Sequence, residues 1–308
     1  MKETSRGERQ GGQRMEAMRK SAFFAVYWGG VLAVFVGTGW AGERMRFEVE
    51  TPSRLNPQVV FEAYVPAGQE NGIGRPLLFL VPGYNGNGGA FLIPDAGWLA
   101  WADREKVVLL TATFWTNPEE IQARRGYYYP EEWSGEAVFA AVKEVAARTP
   151  VRGDSLLLFG FSAGAHFVHR FARWAPGRVG AFVAYSAGWW DEPNARMKTV
   201  PALIMCGEDD PRLNASLAFA QAGLVLGCPW IWRSYPQTGH AITPEVNEMA
   251  RVFLAHYAQE PEVRKKAVSL VGDAQTFHLC SRLEAEGLPA ICRIMLPSRE
   301  IADVWKEK

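Results

Sequence analysis

An apolar run of strand length, Leu156-Leu157-Leu158-Phe159, passes directly into Gly160-Phe161-Ser162-Ala163-Gly164, and the mixed small and apolar segment Ala165 to Ala172 leaves it. This order predicts a strand, a sharp turn and a helix, with Ser162 at the apex. A serine at the tip of such a turn sits in a strained backbone conformation, and glycines on both sides remove the side chains that would collide as strand and helix pass. The turn presents the hydroxyl outward. It also aims the N–H of Ala163, at the helix N-terminus, toward any oxygen that gains negative charge beside Ser162. A chain with 30 glycines can contain this pentapeptide by accident. Its place between a strand and a helix is what gives it weight.

From Arg44 onward strands and helices alternate. Strands are expected at Met45–Glu50, Val59–Val65, Leu77–Val81, Val107–Thr111, Ser155–Phe159, Gly180–Tyr185, Ala202–Met205 and Ile231–Tyr235. Helices are expected at Gly97–Arg104, Gly135–Arg148, Ala163–Trp174, Asn214–Gly223 and Pro244–Gln259, the second behind an N-cap at Ser134. The fold class is therefore α/β: an eight-stranded, mostly parallel sheet with helices on both faces and an antiparallel first pair. Residues 44 to 260 form this domain. Residues 261 to 308 are too short for a core of their own and read as an extension packed on it, closing in an amphipathic helix through Ile301, Val304 and Trp305.

Residues 1 to 43 differ from the rest. Arg14, Arg19 and Lys20 precede an apolar run from Ala22 to Val36, followed by small residues around Gly39 and Ala41. That reads as a secretory signal cleaved after Ala41, giving a secreted or periplasmic protein. The alternative is an uncleaved anchor, although the run is shorter than the roughly 20 residues that span a bilayer. In an oxidising compartment Cys280 and Cys292 are candidates for a disulfide, and buried free thiols are the other reading. The four cysteines have no metal-ligand spacing, so no metal site is expected. Lys plus Arg equals Asp plus Glu at 33 each. No net field points to nucleic acid or, once the signal is cleaved, to a membrane as partner.

A serine hydroxyl attacks only when a base takes its proton, and that base needs a carboxylate to orient it. The loop after the strand Ala202–Met205 carries Gly207-Glu208-Asp209-Asp210, and the loop after the last strand carries Thr238-Gly239-His240. The order serine, acid, histidine along the chain fits the strand-turn-helix reading of Ser162. With these residues and the Gly160–Gly164 turn, the segment Val59 to Gln259 resembles an α/β-hydrolase, similar to secreted esterases related to polyhydroxybutyrate depolymerases and feruloyl esterases. The resemblance implies Ser162 as nucleophile, His240 as base and Asp210 as acid, with Asp209 as the alternative. It also implies that the N–H groups of Ala163 and of Tyr84, in Pro82-Gly83-Tyr84-Asn85-Gly86, hold the oxyanion. The family usually has His-Gly where this chain has Pro82-Gly83, which leaves the shape of that loop open.

The resemblance further implies hydrolysis of a small-molecule or polymer-derived carboxylic ester through an acyl-enzyme, with no cofactor. A peptidase of the same fold and a non-catalytic exported binding protein with an aromatic cleft are the alternatives. Aromatic residues crowd the loops expected at the site: Phe114, Trp115, Tyr127, Tyr128, Tyr129, Trp133, Trp189 and Trp190. Trp115 and Trp189 are the candidates for substrate contact, and packing is the other reading for each ring. His166 and His169 follow Ser162 on its helix and are expected beside the site or on the surface.

Overall fold

The computed structural model describes residues 42–68, 74–265 and 270–306, together with the backbone of two short strands, β1 (Ala25–Trp28) and β2 (Val31–Val34), which pair antiparallel. The rest of the expected signal segment lies outside the described residues. Among these, no helix is long and apolar enough to cross a membrane.

The main sheet comprises β3 (Glu43–Glu50), β4 (Gln58–Val65), β5 (Leu77–Val81), β6 (Val108–Thr113), β7 (Leu156–Phe161), β8 (Val179–Tyr185), β9 (Ala202–Gly207) and β10 (Trp230–Tyr235). Their spatial order is β3-β4-β6-β5-β7-β8-β9-β10. β4 runs against both neighbours and every other pairing is parallel. Burial explains the sequence patterns. Edge strand β3 alternates buried and exposed residues, whereas β5 and β9 are buried throughout, because helices cover both faces of the parallel part.

The helices are α1 (Trp98–Glu105), α2 (Pro118–Gln122), α3 (Gly135–Ala146), α4 (Ala163–Trp174), α5 (Leu213–Leu226), α6 (Pro244–Ala258), α7 (Pro261–Arg264), α8 (Arg282–Gly287) and α9 (Arg299–Lys306). Register assigns them to faces. Phe79 of β5 is level with Leu158 of β7 and meets Phe167 of α4 with ring centres 5.8 Å apart. The next pair, Leu80 and Phe159, points the other way, and Phe159 packs 5.2 Å from Trp98 of α1. α6 joins α1 on that side, where Trp101 Nε1 donates to the Arg251 carbonyl at 3.1 Å. α3 and α5 share the α4 side through Phe139–Phe171 and Phe219–Trp230.

Two boundary signals are corrected. Ser134 does not cap α3: it is already helical, and its hydroxyl donates to the Tyr127 carbonyl at 2.9 Å within a wide turn over Pro130–Ser134. Gly223 does not end α5. A Cβ there would lie 1.9 Å from Trp230, so glycine is needed for packing, and the helix stops at Gly227 with φ of +85°.

The C-terminal extension forms a three-stranded antiparallel sheet, with β11 (Leu270–Asp273) between β12 (His278–Cys280) and β13 (Arg293–Leu296). Ile301 and Trp305 of α9 are fully buried, and Trp305 Nε1 donates to the Trp232 carbonyl of edge strand β10 at 2.8 Å. Cys280 pairs with Val271 on one side of β11, while Cys292 precedes the strand on its other side, and all four cysteines are free. Two strand spacings, roughly 9 to 10 Å, exceed the reach of a disulfide, so the Cys280–Cys292 pairing is ruled out in this arrangement.

Candidate active site

Ser162 has φ of 55° and ψ of −112°, a conformation that costs on the order of 1–3 kcal/mol in a residue with a side chain. The neighbours make it possible. A Cβ on Gly160 would stand 2.2 Å from the Gly164 carbonyl oxygen, and one on Gly164 would stand 2.1 Å from that of Val81. Strand and helix therefore approach more closely than any other residue allows. The Ser162 N–H donates to the Tyr185 carbonyl of β8 at 2.8 Å, which anchors the apex from the side.

The acid and histidine loops are held together by the same device. A Cβ on Gly207 would lie 2.1 Å from the Thr238 carbonyl oxygen. Across this close approach Glu208 N–H donates to Tyr235 at 2.8 Å and Asp209 N–H donates to Thr238 at 2.9 Å. Asp209 is thereby an exposed bracket, and the buried carboxylate is that of Asp210. Asp210 Oδ2 lies 2.7 Å from His240 Nδ1, and His240 Nε2 lies 2.9 Å from Ser162 Oγ.

A carboxylate only accepts, so Nδ1 carries the proton and Nε2 offers its lone pair to the serine hydroxyl. Burial alone raises the pKa of Asp210. Hydrogen bonds from His240, from Arg212 and from Ser186 outweigh that and hold it below the usual value, so it is ionised at neutral pH. The Phe161 ring lies against His240 at 4.8 Å and limits its rotation.

The loop after β5 borders the serine: a Cβ on Gly83 would be 3.7 Å from Ser162 Cβ. Pro82 fills the space beside Gly86, where a Cβ would stand 2.9 Å from the proline ring. Asn85, with φ of 50°, bonds Thr116 in both directions at 2.8 and 2.9 Å, and the Tyr84 hydroxyl donates to the Thr116 carbonyl at 3.2 Å. Tyr84 and Trp115 therefore stand on adjoining loops. Ala163 opens α4, so its N–H has no carbonyl one turn earlier in the helix to bond.

The aromatic residues divide by exposure. Tyr84, Trp115 and Trp189 are 52%, 54% and 59% exposed. Phe114, Tyr127, Tyr128, Tyr129 and Trp133 are buried, with Phe114 stacked on Tyr127 and on Phe167 of α4, so for these the packing reading holds. Trp189 stands edge-on to His166, one turn beyond Ser162.

His166 and His169 are both buried, which excludes a surface role. His169 donates from Nδ1 to Ala165 and accepts from the Asp191 N–H at Nε2, and burial pushes its pKa down to about 3. His166 accepts from the Gly188 N–H at 3.0 Å and is held neutral in the same way. Arg212 was not legible as a site residue, although an Asp followed two residues later by an N–H that turns back to it is a recurrent turn pattern. Among the described residues no group of His, Cys, Asp and Glu is placed to hold a metal ion.

No protein family and no curated protein matches the sequence. Solved structures do match the fold. A ferulic acid esterase is 19% identical with a TM-score of 0.53, over 66% of this chain and 92% of its own. The S-formylglutathione hydrolase of Staphylococcus aureus is 14% identical with a TM-score of 0.56, over 73% and 99%. That of Agrobacterium tumefaciens is 15% identical with a TM-score of 0.55, over 72% and 96%. With the strand order and the turn at Ser162, these similarities establish that the chain has the α/β-hydrolase fold.

Proposed function

We propose that the chain is a serine hydrolase that cleaves carboxylic esters. The observation that carries this reading is the unbroken relay from Asp210 Oδ2 through His240 to Ser162 Oγ, at 2.7 and 2.9 Å. His240 takes the Ser162 proton as Oγ attacks the ester carbonyl, and Asp210 stabilises the imidazolium that forms. The N–H groups of Ala163 and Tyr84 hold the oxyanion, each contributing on the order of 3 kcal/mol to the transition state. His240 returns the proton to the leaving alcohol. Water, activated by the same histidine, then releases the acid from Ser162. None of these steps calls for a metal or an organic cofactor.

The substrate class is a small-molecule or polymer-derived ester, with the exposed rings of Trp115 and Trp189 beside the serine-bearing loops as contact surface. The names of the structural neighbours, a ferulic acid esterase and two S-formylglutathione hydrolases, agree with a hydrolase reading. The basic, apolar and small-residue order of residues 1 to 43 supports export to a secreted or periplasmic location.

The test is hydrolysis of short-chain and aryl p-nitrophenyl esters by the unmodified protein, Ser162→Ala and His240→Ala. Both variants are expected to lose about 10³-fold or more in kcat/KM. Turnover in the unmodified protein no faster than in the variants would overturn the reading in favour of a non-catalytic binding protein.

A further inference from the structure

Asp210 spends one oxygen on His240. The other, Oδ1, accepts from the Arg212 backbone N–H at 3.0 Å and from Arg212 Nη1 at 3.0 Å. The carboxylate is wholly buried, whereas the Arg212 side chain is 34% exposed, so a solvent-bordering cation reaches onto the back of a buried anion. The Arg212 guanidinium also passes close to Gly188, where a Cβ would lie 3.6 Å from its Nε and 3.5 Å from His166 Nε2.

Resting on the hydrolase reading above, we propose that Arg212 is a positioning residue acting through Asp210. It fixes the carboxylate with Oδ2 toward His240 and places a positive charge on the side of Asp210 away from the imidazole. A histidine facing a bare buried carboxylate gains a stabilised imidazolium and is protonated, and therefore useless as a base, to a higher pH. A permanent cation on the far oxygen offsets part of that field.

The other groups around the pair do not duplicate this charge. Tyr185 on β8 and Cys206 on β9 are both raised by burial, and His166 on α4 is lowered by burial, so all three are neutral between about pH 5 and 8. Ser186, after β8, contributes a hydroxyl without charge. Glu208 bonds the Ser234 hydroxyl at 2.8 Å, and Asp209 is exposed beside it. Neither side chain can supply a positive charge.

The experiment measures kcat/KM against pH for the unmodified protein, Arg212→Gln and Arg212→Lys, alongside the titration of the His240 ring followed by NMR without substrate. Losing the cation raises the pKa of the acid limb, and of the ring, by about 0.5 to 1, a range set by the partial exposure of Arg212. kcat at neutral pH falls by up to about tenfold with KM little changed, and Arg212→Lys brings the limb most of the way back. Both variants keep the backbone N–H of residue 212 on Oδ1, so the loop retains one of its two bonds. An unmoved limb and ring in Arg212→Gln, or an equal rise in Arg212→Lys, would overturn the proposal. If the unmodified protein turns over no ester, the hydrolase reading fails on its own, and the ring titration still decides the role of Arg212.

Discussion

His169 is wholly enclosed in the helix that follows Ser162, with both ring nitrogens hydrogen-bonded to backbone groups of the neutral form. Its folded pKa of about 3 lies far below the unfolded value near 6.5, so the unfolded chain binds the proton first. Stability therefore is full above about pH 6.5 and falls as the pH drops toward 3, by up to about 1.4 kcal/mol per pH unit for this residue. Urea melts at pH 7 and pH 5 check this, and His169→Asn is expected to reduce the loss between the two; an unchanged loss would assign it elsewhere. Asp210 tests a different point. Asp210→Asn replaces an acceptor with an amide that favours the wrong His240 tautomer, and kcat is expected to fall by about 10⁴ with the fold intact. Equal loss in Asp209→Asn would contradict the assignment, because Asp209 touches the histidine loop only through its backbone.

The turn at Ser162 was legible because its cause is local: an apolar strand, two glycines at positions with no room for a Cβ, and a helix that opens on the small residues Ala163, Gly164 and Ala165. The buried parallel strands were legible for the same reason, since a run such as Leu77–Val81 buried on both faces has no alternation to misread. Ser134 and Gly223 misled because their roles are tertiary. Ser134 serves the Tyr127 carbonyl, and Gly223 makes room for a tryptophan that arrives only with β10. Gly223→Ala should therefore destabilise the protein by about 1 to 3 kcal/mol through overpacking against Trp230, although alanine is the better helix former. A gain in stability on denaturant melting would show that the ring has room to move.

At the scale of the molecule, the sheet's β10 edge is covered by the C-terminal extension, whose Trp305 is fully buried and bonded to the Trp232 carbonyl. The spacing of Ile301, Val304 and Trp305 announced a packed helix, but no local pattern could reveal that it docks on β10, nor that β11 separates Cys280 from Cys292, since both depend on how distant segments meet. Trp305→Ala is expected to cost about 3 to 5 kcal/mol and to expose a strand edge prone to self-association, readable as a lower melting temperature with concentration-dependent aggregation. The Asp210–His240–Ser162 relay joins three loops that the sheet order brings together, and the proposed activity rests on one atom, Ser162 Oγ. The direct measurement is labelling with a fluorophosphonate probe followed by peptide mapping. The account predicts a single adduct on Ser162, absent in Ser162→Ala and strongly slowed in His240→Ala. An unlabelled folded protein, or an adduct on another residue, would contradict it.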